Sequence, residues 1–187
     1  MIILPYKENF IRKNFIEYSF NNPDDEDFLP DFTLFKKLNS TDLYYFAQNY
    51  NWDDGIEVLN WIIDSPKCDK GCASLIFWTS EPDFYFKYTE DTIPHYEKNV
   101  FLLLKKITYK FGNNEFIRSN LKYDPAERVK KLDWAKEYPG WQIPEELKHK
   151  TKGYIPISLS AIQGLIWEWQ RKRKLAKREA RKRNRKK

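Results

Sequence analysis

Apolar residues recur along this chain in short bursts at helical spacing, and proline, glycine or an Asn/Asp cluster closes each burst within a few turns. The clearest burst follows Asn39-Ser40-Thr41-Asp42, side chains that accept from the free N–H groups at a helix start. Leu43, Phe46, Ala47 and Tyr50 then stand at i, i+3, i+4 and i+7, which predicts a helix to about residue 50. Asn51-Trp52-Asp53-Asp54-Gly55 interrupts it, and Asp53 stands where it would cap a second segment carrying Ile56, Leu59, Trp61, Ile62 and Ile63. Ser65-Pro66 stops that segment. A third begins at Asp69 and runs through Ala73, Ile76, Phe77 and Trp78.

The same pattern continues on both sides. Pro30-Asp31 opens a turn through Phe32, Phe35 and Leu38. Pro94 precedes a longer element from about His95 to Phe111, with Val100, Leu103, Leu104, Ile107 and Phe111 on one side and Gly112-Asn113-Asn114 at its end. A short helix is expected over 114–121. Asp124-Pro125 forms a start for a helix of about three turns through Val129, Leu132, Trp134 and Ala135, closed by Tyr138-Pro139-Gly140. A single turn follows at Pro144 to Leu147, and the last helix starts at Ser158 or Ser160, with Ile162, Leu165, Ile166 and Trp169 on one face. The first twenty residues fit either a short helix or an extended arm. No segment alternates with period two over a strand's length, although Tyr154 to Ile157 could pair briefly. The expected class is all-α: an irregular bundle or stack of short helices in a body of residues 1–157, then a C-terminal helix running into a basic tail over 158–187.

Charge divides within the last element, at Arg171. The formal net charge of +6 looks like a nucleic-acid-binding signature. Yet Arg171, Lys172, Arg173, Lys174, Lys177, Arg178, Arg181, Lys182, Arg183, Arg185, Lys186 and Lys187 are opposed in the tail by Glu179 alone, a net +11. Taking those twelve cations and one acid from the chain's 33 basic and 27 acidic side chains leaves 21 and 26, so residues 1–170 carry −5. The body repels phosphate on average, and any anion binding belongs to the tail.

Several function classes recede on composition. The longest apolar run, Val100 to Leu104, is far short of the roughly 20 residues a membrane helix needs. The residues after Ile2-Ile3-Leu4 are charged, unlike the apolar region of a secretory signal, and two cysteines suit a reducing compartment. A cytoplasmic protein without a membrane partner is expected. His95 and His149 stand outside any recognisable catalytic motif. Cys68 and Cys72, at i, i+4 near a helix start, lack the further ligands a zinc site requires and read as packing residues. Neither a Gly-rich phosphate loop nor a nucleophile elbow is present among six glycines. The chain is therefore expected to be no enzyme and to need no cofactor or metal.

Tyr45-Phe46-Ala47-Gln48-Asn49-Tyr50-Asn51-Trp52-Asp53-Asp54-Gly55-Ile56, with Trp61-Ile62-Ile63, Pro66, Cys68-Asp69 and Ala73 to Trp78, resembles a bacterial helical domain family of unknown function. The resemblance covers about Leu34 to Tyr88. It implies a small accessory protein and, through members near toxin and immunity loci, an immunity-type role; it carries over no catalytic residue. Where members have Gly-Thr-Ala this chain has Gly71-Cys72-Ala73, which counts against a special role for Cys72. Physically, Trp52 can cover a helix junction, Asp53 or Asp54 can cap the second helix, and Gly55 can let backbones approach. Adjacent side chains on a helix point about 100° apart, so Asp53 and Asp54 do not converge on one ion without further ligands.

The expected partner surface combines acids and aromatics: the loop acids Asp24, Asp25, Glu26 and Asp27, the Trp52, Asp53 and Asp54 element, and Trp141. Tyr138, Tyr154 and the Phe84 to Tyr88 cluster lie in equally unpatterned stretches where some rings should be exposed. Such a surface suits a basic protein, for example a toxin. The alternative is a nucleic-acid-binding accessory protein acting through Arg171, Lys172, Arg173, Lys174, Lys177, Arg178, Arg181, Lys182 and Arg183.

Overall fold

The structure, a computed structural model, describes residues 1–17, 30–133, 138 and 140–184, the side chains of 178–184 excepted. Among these residues the protein is all-α: ten α-helices, short helical turns and one two-stranded parallel pairing.

The first residues form β1 (Ile2–Ile3) and then α1 (Pro5–Ile11), whose Pro5 starts the helix at a position that needs no N–H. A π-helical turn, Arg12–Ile16, continues α1 and buries Phe15. The helix reading of this stretch thus holds over the arm. Asp31 caps α2 (Phe32–Phe35), its Oδ1 accepting from Thr33 N at 2.6 Å. Asn39 and Asp42 form a reciprocal capping box at the start of α3 (Ser40–Asn49). Helices α4 (Glu57–Asp64) and α5 (Lys70–Thr79) follow, and α5 is buried continuously from Gly71 to Trp78. It can be apolar on every side because α3, the short α6 (Pro82–Tyr85) and α7 (Lys98–Gly112) all pack on it. Phe46, Phe77, Trp78, Leu59, Ile62 and Phe101 meet in the resulting core.

Two expectations fail beyond α7. Residues 114–121 are extended, not helical: Asn114 turns the chain at φ 54°, Lys70 N donates to Arg118 O at 2.8 Å, and single bridges join Asp69 to Arg118 and Leu121 to Tyr154. Those backbone groups bond across space, so none is left for a helix ladder. The helix after Pro125 is one turn, α8 (Ala126–Val129); Trp134 and Ala135 lie outside the described residues.

After α9 (Glu145–Lys148) the chain forms β2 (Ile157–Ser158), which pairs Ile157 with Ile2 and Ser158 with Ile3. Ser158 Oγ then accepts from Ala161 N at 3.2 Å, opening α10 (Leu159–Asn184). Glu8 of α1, itself buried, holds this start by accepting from Ser160 Oγ at 2.6 Å and from Tyr45 OH at 3.0 Å. From Gln163 to Lys177 every residue of α10 is exposed. No described helix is long and apolar enough to cross a membrane.

Candidate functional site

Of the expected acidic partner elements, the turn between α3 and α4 is at the surface among the described residues. Trp52–Asp54 is a turn of 3-10 helix in which Trp52 is half-buried against the core and Asp53 and Asp54 are exposed. Asn51 builds it. Its Oδ1 accepts from Asp53 N at 3.3 Å, its Nδ2 donates to Asp54 Oδ1 at 3.3 Å, and its backbone O accepts from Asp54 N at 3.2 Å. Tyr50 OH donates to Asp54 O at 3.3 Å; burial first, then the nearby Asp54 charge, pushes that hydroxyl well above its ordinary value.

The roles within this element differ from the sequence reading. Neither aspartate caps α4, whose N-cap position is Ile56 and has no side-chain cap bond. Asn51 caps the 3-10 turn itself, its side chain accepting from Asp53 N. Gly55 is required for its φ of 84°, not for a close backbone approach, because a Cβ there would meet nothing within 4 Å. Nearby in sequence, Trp61 donates from Nε1 to Glu57 Oε1 at 3.1 Å and stands edge-on to Phe32 and Phe35, with ring centroids 4.8 and 5.6 Å away.

Trp141 is not a surface residue. It is 8% exposed, its ring lies 5.2 Å from both Phe86 and Phe101, and its Nε1 donates to Tyr88 O at 3.1 Å. Lys105 Nζ covers the ring at 4.7 Å. Expected exposure within the Phe84 to Tyr88 cluster holds for Phe84, while Tyr85 and Phe86 are buried. Tyr138 packs on Phe86 with centroids 4.9 Å apart, and Tyr154 is exposed. Asp24, Asp25, Glu26 and Asp27 lie outside the described residues. Tyr96, Tyr109 and Ile117 are exposed apolar side chains that no pattern singled out.

The thiols are set for packing. Cys68 and Cys72 are free and buried, and burial pushes the Cys72 thiol well up, with the Cys68 side chain adding to the effect. The helix-start position therefore does not produce a reactive thiolate. His149 Nε2 faces Glu145 Oε1 at 3.1 Å on the surface. No group of three or more His, Cys, Asp or Glu able to hold a metal occurs among the described residues.

On α10, Arg171, Lys172, Arg173, Lys174 and Lys177 are exposed, and among the described residues none pairs with a carboxylate. Arg171 and Arg173 instead lie over the rings of Trp167 and Trp169, at 5.5 and 5.2 Å. The side chains of Arg178, Arg181, Lys182 and Arg183 lie outside the described set. The most buried carboxylate, Asp69, gave only a helix-start signal in the sequence; its additional bonds to Asn120 N and Leu121 N, at 2.7 and 3.2 Å, had none.

No curated protein and no solved structure matches the chain. Residues 38–112, from the segment after α2 through α7, match the model of a family described as "Domain of unknown function (DUF4274)", which bears out a resemblance to an uncharacterised domain family over most of the expected Leu34 to Tyr88 and extends the match to the end of α7.

Proposed function

We propose that this is a non-enzymatic binding protein of the cytoplasm whose body docks a basic protein, in the manner of an immunity protein blocking a toxin. The observation that carries the reading is the turn after α3: two exposed carboxylates, Asp53 and Asp54, on a backbone braced by Asn51 and Tyr50, beside the half-buried Trp52. A rigid turn binds with little ordering cost, and the net −5 of residues 1–170 steers a cationic partner toward it. The test is co-expression with the product of the adjacent gene, followed by size exclusion and a growth assay. Co-elution and protection, both weakened at least tenfold by Asp53→Lys with Asp54→Lys, support it. Absence of co-elution and of protection overturns it.

A second reading has its own support in α10, whose exposed cations stand unpaired with carboxylates among the described residues. In this reading the tail binds nucleic acid. If 6 to 8 phosphates are contacted, log affinity falls with log salt at a slope of about −5 to −7. A mobility-shift titration with the full chain and with a chain ending at Gln170 decides; equal binding by both removes the tail from consideration.

A further inference from the structure

The start of α10 carries an apolar stripe that is half-buried at Ile162 and exposed at Leu165, Ile166 and Trp169, with only Arg173 of the same helix lying over the Trp169 ring among the described residues. Ile162, Leu165, Ile166 and Trp169 stand at i, i+3, i+4 and i+7, within about 100° of arc on a helix. Leu165 is 66%, Ile166 51% and Trp169 59% exposed. In the β1–β2 pairing that precedes the helix, Ile157 and its register partner Ile2 are both about half exposed, as are Ile155 and Leu4. Exposed apolar side chains grouped in this way mark an interface.

Charge says what occupies it. At 1.5 Å per residue, α10 carries Lys177 roughly 27 Å from Leu159. Every residue from Gln163 to Lys177 is exposed, so no described part of the same chain covers these cations. We propose that the stripe docks a second copy of the same chain, the two α10 helices packing antiparallel about a two-fold axis. A two-fold interface needs a patch complementary to itself, which an apolar stripe is. The antiparallel arrangement sends each +11 tail past the partner's Leu159 and along a body of net negative charge; a parallel one sets two +11 segments side by side. Four side chains supply less than the roughly 800 Å² per partner of a standard interface, so the isoleucine rim and the tail take part as well. This dimer rests on α10 and the β pairing alone, and it stands or falls separately from toxin binding by the α3–α4 turn.

The experiment is sedimentation of the full chain over about 1 to 100 µM, a range that brackets micromolar dimerisation. A dimer is expected, at least tenfold weaker for the chain ending at Gln170 and for the full chain in high salt. Leu165→Asp with Ile166→Asp gives a monomer that keeps its helical signal and unfolds at the temperature of wild-type chain diluted until it dissociates, because both side chains are exposed in the isolated chain; at dimer-forming concentrations the wild type unfolds at a higher temperature. Ile162→Cys and Trp169→Cys chains, mixed and oxidised, cross-link to each other. A wild-type chain that stays monomeric at about 100 µM overturns the proposal. So does a dimer that survives the double aspartate, or one in which Trp169→Cys links only to itself. Binding of the monomer to duplex DNA or phosphatidylserine vesicles that depends on Leu165 and Ile166 also overturns it, since the stripe then serves another surface.

Discussion

Asp69 Oδ2 accepts the backbone N–H of Asn120 at 2.7 Å, a bond that spans 51 positions of sequence. Oδ1 of the same carboxylate accepts from Gly71 N at 2.8 Å, capping α5, and from Leu121 N at 3.2 Å. One fully buried side chain thus ends the approach to the central helix and anchors the extended segment beyond α7. Asp69→Ala leaves three backbone donors without that acceptor, and unsatisfied buried groups cost about 1 to 3 kcal/mol each. Urea unfolding should report a loss of about 3 kcal/mol or more, with Asp69→Asn, which retains one acceptor oxygen, losing less.

Gly71 faces the same segment. A Cβ at this position would lie 2.1 Å from the Leu121 carbonyl oxygen, a backbone atom that cannot swing aside. Gly71→Ala is expected to cost more than about 3 kcal/mol or to prevent folding. In Gly112→Ala, where a Cβ meets nothing within 4 Å, stability should be unchanged or rise by up to about 1 kcal/mol. Thermal unfolding of the two variants side by side checks the contrast.

Trp141 carries the clearest difference between packing and recognition. With its ring held between Phe86 and Phe101, Trp141→Ala opens a cavity and should lower stability by about 3 to 5 kcal/mol. Trp52→Ala removes a half-buried ring and should cost less. In a partner-binding assay the ranking reverses: Trp52→Ala weakens binding, while Trp141→Ala affects it only as far as it unfolds the protein.

Alkaline pH should destabilise the fold through Tyr45. Burial and the hydrogen bond to Glu8 push its hydroxyl from the ordinary 10.0 up to about 12. The folded state therefore holds this proton more tightly than the unfolded state does, and between those two values unfolding releases it. The contribution to stability is complete below about pH 10 and disappears as pH rises through about 12. Unfolding midpoints measured from pH 8 to pH 12 should fall, and Tyr45→Phe, which cannot ionise, should fall less steeply over the same interval.

Helix positions were legible because they rest on local chemistry. Asn39 and Asp42 announce α3 by their own capping box, Ser65-Pro66 follows the end of α4, and Gly112-Asn113-Asn114 marks the end of α7. The all-α class and the charge division at the start of the tail are likewise properties of neighbours along the chain. At the candidate site, composition marked Trp52, Asp53 and Asp54, but not that Asn51 would do the capping.

What tertiary structure alone decided concerns groups whose partners are far away in sequence. Residues 114–121 are extended because Asp69, Lys70 and Tyr154 take their backbone bonds, a competition that periodicity cannot register. Trp141 sits in an unpatterned stretch, and its burial follows from Phe86 and Phe101 arriving from two other elements. Leu165, Ile166 and Trp169 continue from Ile162 with the spacing of a core face and yet are exposed to water. A hydrophobic period states that a face is to be buried; whether the chain itself provides the covering surface depends on where the helix leaves the body, which no local pattern encodes.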